Sequence, residues 1–230
     1  MQTPLLHADI RIPADRPAFT NKLSLDDFSL NELKLLAKQK GFAGETSVAG
    51  NSCHWKRQID YQPSRDQLDI GYMHFNGNRI LETGSASNYA EVWEQLPESR
   101  GTTYAFRFVE KILARSPEQS QAGMLVVSGD YFSFIRDRLT TLPTALSLDN
   151  LLSEASSDRQ RLYELMDFEI SFGRIAKGNM PWEIQLSTLP FREGKQLFTI
   201  AEWTEICHSE EDYIQQEQAW NGMIIRRWIV

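Results

Sequence analysis

The residues best suited to chemistry lie in the segment CHWKRQIDY, residues 53–61. Side chains alternate between the two faces of a β-strand, so Trp55, Arg57 and Ile59 share one face. That face is the apolar one, which places the guanidinium of Arg57 inward between two hydrophobic side chains. A buried guanidinium needs a carboxylate partner or a ligand anion. We therefore expect Arg57 to be largely buried and paired.

Two glutamates are the nearest candidate partners for this guanidinium. Glu82 occurs in RILETG, and Glu91 occurs in NYAEVWEQL, where it shares a face with Tyr89 and Trp93. A carboxyl group whose pKa is raised by burial can act as a general acid or base. The candidate catalytic residues are therefore Arg57, Glu82 and Glu91, without assigned roles. The alternative is an internal Arg–Glu pair that fills the interior and binds nothing.

The functional interpretation is a cavity for a small organic molecule that carries a carboxylate or an enolate. Its walls are expected from Trp55, Trp93 and Phe75. The complete set of predicted ligand-binding residues is Trp55, Arg57, Tyr72, His74, Glu82, Tyr89, Glu91 and Trp93.

Motifs for metal or cofactor chemistry are missing from the sequence. It contains no H-x-H, HExxH or CxxC pattern, and His54 and Cys53 would point to opposite faces of one strand. It also contains no G-x-S-x-G, P-loop or G-x-G-x-x-G pattern. We therefore expect no metal and no cofactor, and the hydrolase, kinase and nicotinamide-enzyme classes are disfavoured. His7 and His208 are predicted to lie at the surface.

A second polar strand is predicted in DFEISFGR. Asp167, Glu169 and Ser171 alternate there with apolar residues. An acidic face of this kind usually points to water, so we expect these three side chains outside. The alternative is a polar barrel interior.

Composition excludes several classes of partner. The 230 residues carry a net charge of −7, which argues against nucleic acid and anionic membranes. No apolar run approaches the roughly 18 residues of a membrane helix, and the N-terminal residues do not resemble a signal peptide. We expect a cytoplasmic protein without membrane insertion. Cys53 and Cys207 are expected as reduced thiols, with one disulfide as the alternative.

Most of the chain is predicted to form short β-strands. LLHADIRIP alternates apolar and polar residues, and Asn76-Gly77 is the strongest hairpin signal. SLNELKLLAKQKG has helical spacing, with Ser29 as the N-cap and Gly41 just after the helix. LDNLLSEASSDRQRLYELM is a second helical segment.

The four letters LSLD occur twice, at residues 23–26 and 146–149, each time before a helical segment. Strand-like segments follow in the same order in both halves, with DFEISFGRI matched to KRQIDYQ. We infer a tandem duplication with a polar linker at residues 114–123. The predicted domains are residues 1–112 and 118–230.

An antiparallel meander protects its edges by closing into a barrel, and about eight strands enclose room for one small ligand. The fold class expected is mainly β, with two tandem lipocalin-like (calycin) barrels that each carry a short helix. Several segments also resemble the Hri-type proteins of fungi and their bacterial relatives. They are LHADIRIPADRPAF, FAGETSVAG, WKRQIDYQP, DIGYM, DFEISFG and STLPFREG. The resemblance spans nearly the whole chain and implies the same two-barrel architecture, with no assigned catalytic motif.

Two functional hypotheses follow. In the first, a barrel binds a small hydrophobic or amphipathic organic ligand, either without turnover or with cofactor-free isomerase, cyclase or lyase chemistry. In the second, the protein is a non-catalytic scaffold whose filled barrels bind another protein or a second copy of the chain. An internal cavity of at least a few hundred Å3 would favour the first hypothesis. We expect the larger cavity in residues 1–112.

Overall fold

The computed structural model describes residues 1–64, 68–85, 88–111, 122–175, 181–198, 218–220 and 223–228. These residues form two antiparallel β-sheets with few helices, so the mainly β expectation is confirmed. The first sheet contains six strands in sequence order: β1 (Leu6–Arg11), β2 (Lys40–Ala49), β3 (Ser52–Asp60), β4 (Asp69–Asn76), β5 (Arg79–Gly84) and β6 (Ala90–Glu94).

The second sheet contains seven strands. They are β7 (Thr103–Lys111), β8 (Gly123–Ser128), β9 (Tyr131–Arg136), β10 (Glu169–Arg174), β11 (Glu183–Ser187), β12 (Gln218–Trp220) and β13 (Met223–Trp228). Their spatial order is β11-β10-β9-β8-β7-β13-β12. Strand β7 therefore pairs inside the second sheet, between β8 and β13. The predicted linker lies almost entirely outside the described residues, and the division at residues 112–118 stays a prediction.

Three α-helices and two short 3-10 helices complete the described structure: α1 (Leu30–Leu36), α2 (Leu148–Glu154), α3 (Arg159–Met166), Leu25–Asp27 and Pro190–Arg192. Ser29 caps α1 as predicted, because its hydroxyl accepts from the N–H of Glu32. Gly41 does not follow the helix directly and lies in β2. A Cβ there would sit 2.7 Å from the carbonyl oxygen of Asp9, so the glycine permits close strand packing. No helix in the described part of the chain is long and apolar enough to cross a membrane.

The first sheet curls into a half-barrel. Its edge strands are β1 and β6, yet Arg11 at the end of β1 donates to the carboxylate of Glu91 in β6 at 2.7 Å. The predicted hairpin is present between β4 and β5, where the loop is Gly77–Asn78 and Gly77 has a φ of +63°. The curl gives the sheet a concave face that carries His7, Asp9 and Arg11.

A shared core joins the two sheets and the helices. The residues that define it include Leu6, Ala8, Leu25, Leu33, Leu36, Ile59, Val126, Ile135, Leu148, Leu151, Leu162 and Ile170. A second core covers the other face of the second sheet: Phe106, Leu125, Val127, Phe132, Phe134, Trp182, Ile184, Leu197 and Phe198. The run MLVV in β8 is apolar throughout because alternate residues point into different cores.

The two LSLD segments adopt similar local structures. Ser24 precedes a 3-10 helix that begins at Leu25, and Ser147 precedes α2, which begins at Leu148. Both of those leucines are buried in the shared core, whereas the first leucine of each LSLD is exposed. The caps differ in detail. Asp27 accepts from the N–H of Ser24 at 2.9 Å, and the hydroxyl of Ser147 accepts from the N–H of Asn150 at 3.3 Å.

A glycine bulge follows the helices in both halves. The register shifts at Gly44, between β2 and β3, and at Gly173, between β10 and β11. A Cβ on Gly44 would lie 2.0 Å from the carbonyl oxygen of Lys56, and one on Gly173 would lie 2.0 Å from that of Glu183. In this local feature β10 resembles β2, whereas the sequence match pairs DFEISFGRI of β10 with KRQIDYQ of β3.

Candidate functional site

A cavity of about 1450 Å3 lies on the concave face of the first sheet and continues along residues 137–142. It is open to solvent at one side. Of the predicted ligand-binding residues, those that line it are Trp55, Arg57, Glu82, Tyr89, Glu91 and Trp93. Phe75, the third predicted aromatic wall, also lines it. Residues 1–112 therefore contain a large cavity with much of the predicted lining.

Tyr72 and His74 are the exceptions, and they lie outside the cavity lining. They alternate in β4 with Met73 and Phe75, which do line the cavity, so they point to the outer face of the sheet. Both are exposed. The sequence showed which residues share a face of β4, but it did not show which face is concave.

Glu82 is the most deeply buried carboxylate on the concave face, with 4% of the residue exposed. The hydroxyl of Tyr89 donates to one carboxylate oxygen at 2.6 Å, and the indole N–H of Trp93 donates to the other at 2.8 Å. Burial raises the pKa of Glu82, and the negative charges of Glu91 and Asp69 raise it further, although the two hydrogen bonds oppose this effect. The result is a carboxyl group with an increased affinity for a proton.

Gly71 makes room for this carboxylate. A Cβ at that position in β4 would lie 2.8–3.1 Å from side-chain atoms of Glu82. Such contacts are too short to be tolerated unless the Glu82 side chain moves. The glycine in DIGYM is therefore needed for the position of Glu82, a role that strand alternation alone did not predict.

Arg57 is less buried than predicted, because 41% of its side chain is exposed. Its partners are Asp69, at 2.6 Å, and Asp60, at 3.1 Å, and not the expected glutamates. The guanidinium also stacks over the ring of Phe42, with Cζ 3.6 Å from the ring centroid. The expectation of a carboxylate partner is confirmed, whereas the expectation of a largely buried side chain is wrong.

A bulge in β3 explains why Arg57 and Ile59 do not share a face, although the sequence had predicted that they would. Ala43 pairs with Ile59 and Gly44 pairs with Arg57, so β3 carries one extra residue, Gln58, between them. An extra residue reverses the alternation beyond it. Arg57 consequently faces the cavity, while Ile59 faces the shared core. The two side chains would share a face only in a regular strand.

Glu91 lies directly opposite Glu82 in the register of β5 and β6. Its carboxylate binds Arg11, with contacts of 2.7 and 3.3 Å, and Arg11 also binds Asp9 at 2.9 Å. Burial lowers the pKa of Arg11, but its two carboxylate partners outweigh that effect and raise the pKa overall. Arg11 was not among the predicted site residues because it is distant from Glu91 in sequence.

His7 is buried, not at the surface as predicted, with 3% of the residue exposed. Nδ1 lies 3.1 Å from the hydroxyl oxygen of Thr46, while Nε2 has no hydrogen-bond partner among the described residues. Burial, together with the charges of the N-terminal ammonium group and Arg57, lowers the pKa of His7 to about 3. A neutral imidazole thus lines the cavity. His208 lies outside the described residues.

Cys53 is a free, buried cysteine, and burial raises the pKa of its thiol. Gly71 pairs with it across the β3–β4 ladder, close to Glu82. The reduced state expected for Cys53 fits this burial, and Cys207 lies outside the described residues.

The acidic face of β10 is not in water. Glu169 and Ser171 are buried, and Arg192 donates to the carboxylate of Glu169 at 3.1 Å. The hydroxyl of Ser171 donates to the same oxygen at 2.6 Å and lies 2.9 Å from that of Ser187. The 3-10 helix Pro190–Arg192 covers this face and supplies the arginine. The predicted outward orientation is therefore wrong for Glu169 and Ser171.

The polar groups around Glu169 and those around Glu82 differ in whether the carboxylate has a cationic partner. The hydrogen bonds of Glu169 close within the second half, with an arginine as the cationic partner. Among the described residues, the hydrogen-bond donors to Glu82 are the neutral groups of Tyr89 and Trp93, and Glu82 lines an open cavity. The geometry therefore selects the concave face of the first sheet as the candidate site. Comparisons of the chain with models of known protein families, with curated protein sequences and with solved structures find no match.

Proposed function

We propose that the protein binds a small hydrophobic or amphipathic organic molecule in the cavity of the first sheet. The observation that supports this most directly is the cavity itself, about 1450 Å3 with a buried carboxylate at its wall. Ligand pockets commonly have volumes of about 300–1,000 Å3 and combine aromatic walls with a few placed polar groups. Trp55, Trp93 and Phe75 provide the walls, and Glu82 provides a polar group.

The same groups support a catalytic version of this proposal. A buried carboxyl group with a raised pKa is suited to moving a proton. Cofactor-free isomerase, cyclase or lyase chemistry would use Glu82 as the acid or base. Glu91 and Arg57 would position the substrate. Binding without turnover needs fewer assumptions and is the form that we propose first.

Native mass spectrometry and thermal shift provide the tests. Protein purified from its own host should retain a small molecule in native mass spectrometry. In a ligand screen, a binder present at 100 times its Kd should stabilise the wild-type protein by about 2.7 kcal/mol. Most of that effect should be lost in Trp93→Ala, which removes an aromatic wall of the cavity. Tyr72→Ala is the matched control, because Tyr72 is an exposed aromatic residue that does not line the cavity.

An equal response in wild type and Trp93→Ala would contradict the assignment of the site. So would a ligand bound in the second half of the chain. The absence of both a retained molecule and a library binder would contradict ligand binding as the function.

A protein-interaction role is the second candidate function, and one observation favours it. Leu81 and Val92 are paired across β5 and β6 on the outer face of the first sheet, and both are exposed. Exposed apolar pairs on a sheet near its edge are common in protein interfaces. Under this hypothesis, Val92→Lys would abolish an association measured by light scattering and leave the cavity ligand bound.

We also infer that the two halves are copies of one calycin-like unit, as in the Hri-type proteins. The similar LSLD segments and the two equivalent glycine bulges support this inference. A crystal structure of the intact chain tests it. Superposition of the segment from β1 to β3 on that from β9 to β11 should align Gly44 with Gly173. Different strand paths in the two halves would contradict the duplication.

A further inference from the structure

On the concave face, carboxylates outnumber guanidinium groups. Two guanidinium groups lie there, those of Arg11 and Arg57, and each is bound by two carboxylates. The four carboxylates are those of Asp9, Glu91, Asp60 and Asp69. An anionic ligand beside either guanidinium would meet the negative charge of these carboxylates. The guanidinium groups are therefore poor anchors for a carboxylate or an enolate.

The remaining cations of the cavity lining are also occupied or lie at its rim. Arg138 is buried and donates to the backbone carbonyls of Leu165, Asp60 and Tyr61 at 2.6–3.2 Å, which joins the two sheets. Lys56 is exposed and lies 3.7 Å from Glu45. Lys40 is exposed as well. The N-terminal ammonium group of Met1 also lines the cavity, and it donates to the carbonyl oxygen of Ala8 at 2.7 Å. Each of these cations is therefore hydrogen-bonded to the protein or exposed to solvent.

Glu82 is in the opposite situation. No lysine, arginine or histidine nitrogen of the described residues lies within ion-pair distance of its carboxylate, and both hydrogen-bond donors are neutral. A carboxylate has about four lone-pair positions, of which the hydrogen bonds from Tyr89 and Trp93 use two. A buried carboxylate without a cationic partner is costly. The site therefore favours a ligand that brings a positive charge and N–H donors.

His7 also has a hydrogen-bonding position without a partner among the described residues. The backbone carbonyl of Glu45 favours a proton on the ring, and Nδ1 also contacts the hydroxyl of Thr46. With the proton on Nδ1, the unpartnered Nε2 is a hydrogen-bond acceptor. Nearly all of this side chain is buried in the wall of the cavity. A second acceptor, buried in the wall of the same cavity, thus lacks a donor among the described residues.

We propose that the concave face of the first sheet binds an organic cation, an amine with an aromatic or aliphatic body. Its ammonium group lies against Glu82, and its apolar part packs on Trp55 and Trp93. The faces of these indole rings add to the attraction, because aromatic faces attract cations. The inference rests on the proposed function, since it assigns a chemical class to the ligand of the same cavity.

Three probes of similar shape and different charge test the inference on the full chain. They are tryptamine, tryptophol and indole-3-acetate, measured by calorimetry or ligand-observed NMR at neutral pH. Tryptamine should bind about tenfold or more tightly than either of the others. Glu82→Gln should weaken tryptamine by about tenfold and leave tryptophol unchanged, because only the charge is removed. Glu154→Gln, at an exposed position of α2, should behave as wild type.

Tighter binding of indole-3-acetate than of tryptamine would overturn the inference and leave the cavity as a ligand site. An affinity for tryptamine that Glu82→Gln does not change would also overturn it. If no probe binds but the protein retains a host molecule, the cation class is wrong and the proposed function stands. If no probe binds and nothing is retained, both are wrong. Should Glu82→Gln fail to fold, the order of the three probes on wild-type protein decides.

Discussion

Strands β8 and β3 belong to different sheets and have different surroundings: the first five residues of β8 are all buried, whereas buried and partly buried residues alternate at the start of β3. In β8, Val126 points into the shared core and Leu125 into the second core, so both faces of the second sheet are filled. In β3, Ile59 points into the shared core, whereas Trp55 points into the cavity. A sheet with two filled faces derives stability from both of them. The first sheet buries one face in the shared core, and its other face lines the cavity.

The polar residues of the two sheets differ in the same way. In the second sheet, Glu169, Ser171 and Ser187 form a hydrogen-bonded network with Arg192. In the first sheet, Glu82 has neutral donors and no counter-ion among the described residues. A satisfied network gives a rigid structure, whereas an unpaired charge that faces a cavity is a candidate binding site. The following predictions test this contrast.

The largest effect is expected from truncating matched phenylalanines in the two sheets. Phe132 is fully buried in the second core beside Trp182, with the ring centroids 5.1 Å apart. Phe132→Ala should lower the free energy of unfolding by about 3–5 kcal/mol. Phe75 lines the cavity and is 74% exposed, so Phe75→Ala should change it by no more than about 0.5 kcal/mol. Urea denaturation measures both. Equal losses would show that the first sheet has no open face.

Acid should destabilise the first sheet through His7. The pKa of His7 is lowered from 6.5 to about 3 on folding, so the unfolded chain takes up the proton more readily. The stabilisation is complete above pH 6.5 and is lost as the pH falls towards 3. It amounts to a loss on the order of 3 kcal/mol at pH 4. His7→Gln should remove that part of the pH dependence in urea titrations, whereas exposed His74→Gln should not. An unchanged pH dependence in His7→Gln would refute the assignment.

Both glycine bulges should be sensitive to alanine, and Gly173 should be the more sensitive. In each, a Cβ would lie 2.0 Å from a backbone carbonyl oxygen, so the paired strands must separate to accept alanine. A Cβ on Gly173 would also lie 2.6 Å from the ring of the buried Phe132, a contact that Gly44 lacks. Gly44→Ala should cost about 1–3 kcal/mol, and Gly173→Ala should cost more. Gly77→Ala is the control, since a Cβ there would have no atom within 4 Å and only the φ of +63° opposes the change. A smaller loss for Gly173→Ala than for Gly44→Ala in thermal denaturation would contradict this order.

The smallest effect concerns the caps of the two LSLD segments. The hydroxyl of Ser147 accepts from the N–H of Asn150, so Ser147→Ala should cost about 1 kcal/mol. Asp27 accepts from the N–H groups of Leu23 and Ser24, and the Ser24 hydroxyl lies 3.5 Å from that carboxylate. Ser24→Ala should therefore cost less than about half as much. Chemical denaturation measures the free energy of unfolding of both variants. A larger loss for Ser24→Ala than for Ser147→Ala would show that the hydroxyl of Ser24 is the stronger cap.

Local chemistry made several features of the fold predictable. Ser29 and Glu32 specify the start of α1, and glycine after Asn76 specifies the β4–β5 hairpin, because caps and turns depend on neighbouring residues. Alternation along β1 separates His7 and Asp9 from Leu6 and Ala8. These are short-range patterns, and the sequence contains all of the information that they need.

The second helical segment was less predictable. It was expected as one unit, but it is divided into α2 and α3 at residues 155–157, and Asp158 caps the new helix. The sequence Ser156-Ser157-Asp158 is a signal for a helix break and a new N-cap. The break was missed because the leucines keep a helical spacing on both sides of it, since both helices bury leucines in the shared core.

The tertiary structure decided what the cavity contains. One extra residue, Gln58, reverses the alternation in β3 and turns Arg57 towards the cavity while Ile59 joins the core. The curl of the sheet brings Arg11 to Glu91, and the choice of concave face excludes Tyr72. The sequence alone determined which side chains alternate, which residues cap and which groups are ionisable. Bulges, curvature and the covering of each face depend on contacts between distant strands, so only the folded chain determines which ionisable groups meet.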